Sequence, residues 1–197
     1  MTENDVTVDE PVDSQRRRPL VPMIAFGVAV VMAGLFIVLL NADPDGGPSG
    51  DRSRLLGQPA PESIGTLDDG RSFDLSRRKG SWVMLNFFQS DCRPCIIEHP
   101  ALVEFVDQQE ALGADGVEFY SVVVSDTRDD VEAFFAERGG EWPIVMEHER
   151  IDVGFGVAQF PETWIIDPAG IVVGHFPGAV TTERLAVTMQ ELRERFR

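Results

Sequence analysis

Positive charge is scarce in this sequence of 197 residues. Lys and Arg together number 17 against 33 Asp and Glu, which gives a formal net charge of −16 at pH 7. A nucleic-acid-binding surface needs clustered basic side chains, so no nucleic-acid partner is expected. The acidic balance instead predicts solubility and weak affinity for anionic partners.

Cysteine is equally scarce, since Cys92 and Cys95 are the only two in the chain. A closed zinc site needs four ligands, and the sequence offers no second cysteine pair to complete one. A disulfide that encloses two residues constrains the unfolded chain very little, so a purely structural bridge would add little stability. The Cys-x-x-Cys spacing therefore favours a redox pair over a zinc site or a structural disulfide.

Charge is absent altogether from residues 20–40. A helix of this length spans about 31 Å, which matches the hydrocarbon core of a bilayer. Arg16, Arg17 and Arg18 precede the run, so the positive-inside rule places residues 1–19 in the cytoplasm. A cleaved signal peptide is the disfavoured alternative, because the run exceeds a signal h-region and no small-residue cleavage site follows it. We therefore predict a single-pass cell-membrane protein whose transmembrane helix leaves the globular part outside the cytoplasm.

Composition divides the rest of the chain. Residues 1–19 are predicted to be a disordered cytoplasmic tail. Residues 41–54 are rich in Pro, Gly, Asp and Ser, which predicts a flexible linker. Residues 55–197 are globular in composition and numerous enough for one hydrophobic core. Outside the cytosol, an oxidising compartment would allow a disulfide between the two cysteines to form and persist.

Hydrophobic periodicity in residues 55–197 predicts an α/β domain with a mixed sheet and helices on both faces. The predicted elements, in chain order, are a β-hairpin over 64–73, a central strand over 82–88, a helix from Cys92 to about Leu112, a strand over 117–124, a helix over 130–138, a strand near 144–146, an irregular segment over 152–158, antiparallel strands over 163–166 and 171–176, and a last helix opened by Thr181 or Thr182.

The helix after the central strand places Cys92 at its N-terminus. Unpaired backbone N–H groups and the helix macrodipole favour a thiolate at that position. Pro100 lies inside this helix and is expected to kink it. The core side of the helix is predicted to consist of five apolar residues, namely Ile96, Ile97, Leu102, Phe105 and Val106.

Several motifs of residues 55–197 resemble those of the membrane-anchored, thioredoxin-like disulfide reductases of the ResA, CcmG and TlpA type, within the redoxin family. The motifs are Gly57-Gln58-Pro59-Ala60-Pro61, Leu85-Asn86-Phe87-Phe88, Cys92-Arg93-Pro94-Cys95, Glu98-His99-Pro100 and Phe160-Pro161-Glu162-Thr163. The resemblance implies a thioredoxin-like fold with an N-terminal β-hairpin extension. One departure is Asp91, which replaces the family's usual Trp. Its charge disfavours a thiolate, whereas Arg93 and the helix terminus favour one.

The resemblance also implies roles for individual residues. Cys92 would be the exposed attacking thiol, and Cys95 would resolve the mixed disulfide. Phe160 and Pro161, joined by a cis peptide bond, would line the groove for a substrate polypeptide.

An acid at the position of Glu98 manages protons between the two sulfurs in this family. The alternative for Glu98 is a solvated helix surface, and the two interpretations are evenly balanced. Asn86 stands where cytosolic thioredoxins have a buried Asp, which makes Glu98 the favoured base. His99 is assigned to packing or surface, whereas His148 and His175 lie in no motif.

The function implied is an extracytoplasmic thiol–disulfide oxidoreductase that reduces protein disulfides, with apocytochrome c thiols as the substrate that the family suggests. Electrons would come from a membrane thiol carrier, since no NADPH fingerprint is visible, and no cofactor is expected. Three alternatives stay open. A DsbA-like oxidant would run the same exchange in reverse. A peroxiredoxin-type thiol peroxidase would need Pro and Thr where Leu85 and Gln89 stand. A copper chaperone would use Cys92, Cys95 and a histidine, although that family spaces its cysteines one residue further apart.

Overall fold

The computed structural model describes residues 20–40 and 54–196. The chain divides into two compact units, residues 1–47 and residues 48–197. The predicted cytoplasmic tail and all but the last residue of the predicted linker lie outside the described residues.

In the first unit, helix α1 covers Leu20–Leu40, and its side chains are described at residues 24–34 and 36. Within the described part of the chain, no helix is long and apolar enough to cross a membrane. The predicted transmembrane helix is therefore not confirmed.

Seven strands of the second unit form one mixed sheet. They are β1 (Ile64–Leu67), β2 (Ser72–Asp74), β3 (Trp82–Phe88), β4 (Val117–Val123), β5 (Ile144–His148), β6 (Glu162–Ile166) and β7 (Val172–Pro177). Their order across the sheet is β2-β1-β5-β4-β3-β6-β7. The three central strands β3, β4 and β5 are parallel, and every other pairing is antiparallel. The predicted mixed sheet and its N-terminal hairpin, β1–β2, are confirmed.

Helices cover both faces of the sheet, as predicted. They are α2 (Arg93–Glu110), α3 (Arg128–Arg138), α4 (Ile151–Phe155) and α5 (Thr182–Arg195). Side chains of α2, α3 and α5 pack with Met84 and Phe88 of β3, whereas those of α4 pack with Leu85 and Phe87. Successive side chains of a strand point to opposite faces, so Asn86 lies on the same face as α2.

Two details of the predicted elements are wrong. Ile97 is 66% exposed, because its neighbours Cys95, Glu98 and His99 occupy the inward positions of α2. The segment predicted to be irregular, residues 152–158, overlaps the short helix α4, whose buried ends, Ile151 and Phe155, lie on one face. Helix α2 continues through Pro100, and the kink there stays a prediction.

Candidate active site

Cys92 is the N-cap residue of α2, just beyond the C-terminal end of the central strand β3. Its Sγ accepts a hydrogen bond from the backbone N–H of Cys95 at 3.3 Å. Pro94 is accommodated in the first turn because backbone N–H groups there have no intrahelical partner. The sulfur of Cys92 therefore lies at the positive end of the helix dipole, which stabilises a thiolate.

Cys92 and Cys95 are joined by a disulfide, with their Cα atoms 5.2 Å apart. The two residues differ in accessibility, since Cys92 is half-buried whereas Cys95 is only 2% exposed. An incoming thiol or disulfide can therefore approach the first sulfur more readily than the second. This asymmetry supports the predicted order of attack, in which Cys92 reacts first.

Glu98 follows Cys95 by about one turn of α2 and is buried, with 2% of its surface exposed. Its Oε1 accepts a hydrogen bond from Nδ2 of Asn86 at 2.9 Å, and its Oε2 accepts one from the backbone N–H of Val180 at 3.0 Å. Burial raises the pKa of Glu98 to about 7, against the opposing effect of these two donors. The alternative of a solvated helix surface is therefore wrong.

Asn86 also contacts Thr163, the last residue of the Phe160-Pro161-Glu162-Thr163 motif, whose role in the site the sequence alone does not indicate. In the β3–β6 pairing Asn86 lies opposite Thr163, and its Nδ2 donates to Oγ1 of Thr163 at 3.0 Å. Both side chains are buried. The antiparallel register that brings them together joins residues 77 positions apart, so nothing local in the sequence indicates the contact.

The peptide bond between Phe160 and Pro161 is cis, as predicted. The two residues directly precede β6, which pairs with β3, so they lie near the end of β3 that leads to the cysteines. Half-buried Phe160 packs against the same apolar cluster as Cys92 and Cys95. The structure thus brings the predicted groove residues to the side of the disulfide.

A second buried acid lies beside this segment. Glu162 is fully buried; its Oε1 accepts from the backbone N–H of Ala158 at 3.3 Å, and its Oε2 lies 3.1 Å from Nε2 of His175. The His175 ring stacks on Trp164, with ring centroids 3.8 Å apart. This pair links β7 to the loop before the cis proline. Sequence reasoning missed it because the contact depends on the register between β6 and β7.

His99 is a packing residue, as predicted. It is 3% exposed, its Nε2 contacts the backbone oxygen of Gly139 at 2.8 Å, and burial lowers its pKa. The rings of Phe134, Phe135 and Trp142 surround it. His99 therefore holds α2 against the end of α3. Across the described residues, no group of three or more His, Cys, Asp and Glu side chains is placed to hold a metal ion.

Comparisons with known proteins agree with this geometry. A model of the AhpC/TSA family matches residues 56–175. The chain is 32% identical to the thiol:disulfide interchange protein HelX of Rhodobacter capsulatus over 171 residues, which cover 84% of this chain and 87% of HelX. It is 31% identical to the thiol-disulfide oxidoreductase ResA of Bacillus subtilis over 134 residues, 68% of this chain and 73% of ResA.

Among solved structures, the thioredoxin domain of a thiol-disulfide oxidoreductase from Bacteroides vulgatus superimposes with a TM-score of 0.59 at 23% sequence identity. The match covers 70% of this chain and 96% of that domain. The fold of the second unit is therefore thioredoxin-like.

Proposed function

The chain belongs to the AhpC/TSA family and is a thiol–disulfide oxidoreductase, and from this premise we propose that it reduces disulfides of exported proteins through Cys92 and Cys95. The observation that supports this most directly is the pairing of an accessible sulfur at a helix N-terminus with a buried one. A buried carboxyl that can take up a proton near pH 7 follows them in the same helix.

The first step of the proposed reaction is an attack by the Cys92 thiolate on a sulfur of the substrate disulfide. A bond forms between Cys92 and that sulfur, while the substrate's own sulfur–sulfur bond breaks and its second sulfur leaves as a thiolate. That thiolate takes a proton from solvent. The product of this step is a mixed disulfide between enzyme and substrate.

The second step resolves the mixed disulfide. Cys95 transfers its thiol proton to the carboxylate of Glu98, and its sulfur attacks Sγ of Cys92. The remaining substrate sulfur leaves and takes up a proton, and the Cys92–Cys95 disulfide forms. Two electrons have then passed from the dithiol to the substrate. Phe160 and Pro161 would form one wall of the groove that positions the substrate polypeptide during both steps.

The direction of exchange is tested by the reduction potential. We expect equilibration in glutathione buffers to give a value nearer to the roughly −270 mV of thioredoxin than to the roughly −120 mV of DsbA, because a reductant must be the stronger electron donor. The fraction of disulfide is measured by alkylation and mass spectrometry. The variant in which both cysteines are serine is the control and should show no transition. A potential close to that of DsbA would instead assign the oxidant role.

We further propose that the thioredoxin-like unit lies outside the cytoplasm, held by an N-terminal anchor at residues 20–40. The support is the absence of charge in this run and the three arginines before it. The expected electron donor is a membrane thiol carrier, and an apocytochrome c with oxidised cysteines is the expected substrate.

The anchor gives a direct prediction. The full chain should remain with the membrane fraction after carbonate extraction, whereas a chain that begins at residue 48 should be released. Added protease should digest the thioredoxin-like unit in spheroplasts without lysis. Full release of the intact chain by carbonate, or protection of the unit until lysis, would contradict the proposal.

A thiol peroxidase is the alternative that the family name AhpC/TSA favours. Against it, the residues that a peroxiredoxin motif would need are replaced at Leu85 and Gln89, and Cys92 is already paired within one helical turn. Rapid turnover of hydrogen peroxide by the reduced protein would favour this alternative, and turnover of protein disulfides alone would reject it.

A further inference from the structure

Three buried polar side chains from three different elements meet on the α2 side of the sheet. Asn86 of β3 is 1% exposed, Glu98 of α2 is 2% exposed and Thr163 of β6 is fully buried. Buried polar groups destabilise a fold unless their hydrogen bonds are satisfied. Three such side chains at the centre of a sheet therefore indicate a specific role for their hydrogen bonds.

The Asn86 amide has one orientation in this network. Its Nδ2 carries two hydrogens, and it donates to Oε1 of Glu98 at 2.9 Å and to Oγ1 of Thr163 at 3.0 Å. If the amide were flipped, its oxygen would face the Glu98 carboxylate, and two acceptors would oppose each other. The Glu98 carboxylate, which can only accept, therefore fixes which end of the amide faces it. The hydroxyl of Thr163 accepts the second amide hydrogen and holds the side chain in that position.

The hydrogen bonds of this network affect the ionisation of the Glu98 carboxyl. An ionised carboxylate loses its hydration when it is buried, and only hydrogen-bond donors from the protein replace that hydration. Asn86 supplies one donor, and the backbone N–H of Val180 supplies the other. The hydrogen bond from Asn86 becomes stronger when the Glu98 carboxyl loses its proton, so Asn86 stabilises the carboxylate more than the acid.

We propose that Asn86 is a positioning residue that holds Glu98 as a proton-accepting carboxylate, and that Thr163 holds the Asn86 amide in place for this task. The inference rests on the proposed role of Glu98 in resolving the mixed disulfide, which it deepens. The position of Asn86 is fixed by its register opposite Thr163, so the donor and the acid are in place before any substrate binds.

The test is a pH titration of the Glu98 carboxyl carbon by NMR in the full-length, disulfide-bonded protein, with Glu98→Gln used to assign the signal. Asn86→Leu removes the donor, and we expect the midpoint to rise by about one pH unit or more. Asn86→Asp keeps the shape of the side chain but places a second carboxyl against Glu98, so it should also raise the midpoint of Glu98. Thr163→Val should produce a smaller rise, because the Asn86 donor remains but loses the hydrogen bond that holds it in place.

Ser121→Ala is the matched control. Ser121 lies opposite Asn86 on the neighbouring strand β4, and its Oγ accepts a hydrogen bond from Nε1 of Trp142 at 2.8 Å. This substitution removes a buried hydrogen bond in the same sheet without touching Glu98. The titration midpoint of Glu98 in this variant should therefore equal that of the wild type, even if the protein is less stable.

The outcomes separate this inference from the proposed function, because the titration needs neither substrate nor turnover. An unchanged midpoint in the folded Asn86 variants, or a rise in Ser121→Ala as large as theirs, would overturn the positioning role whatever the activity. A rise in the Asn86 variants with no rise in Ser121→Ala supports it, even if disulfide exchange at pH 7 is unaffected. If the midpoint rises and disulfide exchange is nevertheless unaffected, only the proposed use of Glu98 in proton transfer is rejected.

Discussion

The variant Cys95→Ser is expected to accumulate a covalent complex with its substrate, and Cys92→Ser is expected to lose disulfide exchange by about a thousandfold or more. The first sulfur, half-buried at the N-terminus of α2, still attacks in Cys95→Ser. The resolving thiol is then absent, so the mixed disulfide persists. In Cys92→Ser the remaining sulfur is 2% exposed and lacks the position at the helix terminus.

The measurement is capture in intact cells, followed by non-reducing electrophoresis and mass spectrometry of the adducts. The chain contains no third cysteine, so the variant with both cysteines replaced by serine is a complete control for non-specific adducts. Adducts in Cys95→Ser that disappear in this control identify the substrate and test the apocytochrome proposal. Equal yields from the two single variants would contradict the assigned order of attack.

Much of this site can be predicted from the sequence, because its main parts are local. A buried strand, a Cys-x-x-Cys turn and a helix follow one another between residues 82 and 110, so the helix-terminal position of Cys92 needs no long-range information. The Phe160–Pro161 bond is also identified from its own short motif. Both features agree with the structure.

The parts that escaped prediction depend on contacts between distant segments. The burial of Glu98 requires Asn86 from β3 and Val180 from the loop before α5. The Glu162–His175 pair requires the register of β6 with β7. Helical periodicity alone also predicted that Ile97 lies on the core side of α2. That prediction is wrong because polar or reactive residues occupy the inward positions of the helix.

Glu98 is expected to make the stability of the protein depend on pH in a direction opposite to that of a salt-bridged acid. Its pKa is about 7 in the folded protein and near the ordinary 4.5 in the unfolded chain. Between these values the folded state retains a proton that the unfolded state has lost, so the unfolding free energy falls as pH rises. The loss should approach about 3 kcal/mol and be complete above pH 7.

The substitution Glu98→Gln should remove this dependence. The Gln oxygen can still accept from Asn86, but its NH₂ group would face the backbone N–H of Val180, so the variant should lose some stability by the same amount at every pH. The informative quantity is therefore the slope. Urea unfolding of the oxidised protein between pH 4.5 and 8 should show a wild-type curve that falls relative to the variant curve by about 3 kcal/mol.

Glu110→Gln is the matched control for that experiment, since it removes an exposed carboxyl from the last residue of the same helix. Its curve should run parallel to that of the wild type, because its side chain is in contact with solvent in the folded protein as well as in the unfolded chain. If the Glu98→Gln curve also runs parallel to the wild type, Glu98 holds no extra proton in the folded protein. Near neutrality the carboxylate would then be too weak a base to keep the proton that the second step of the reaction assigns to it.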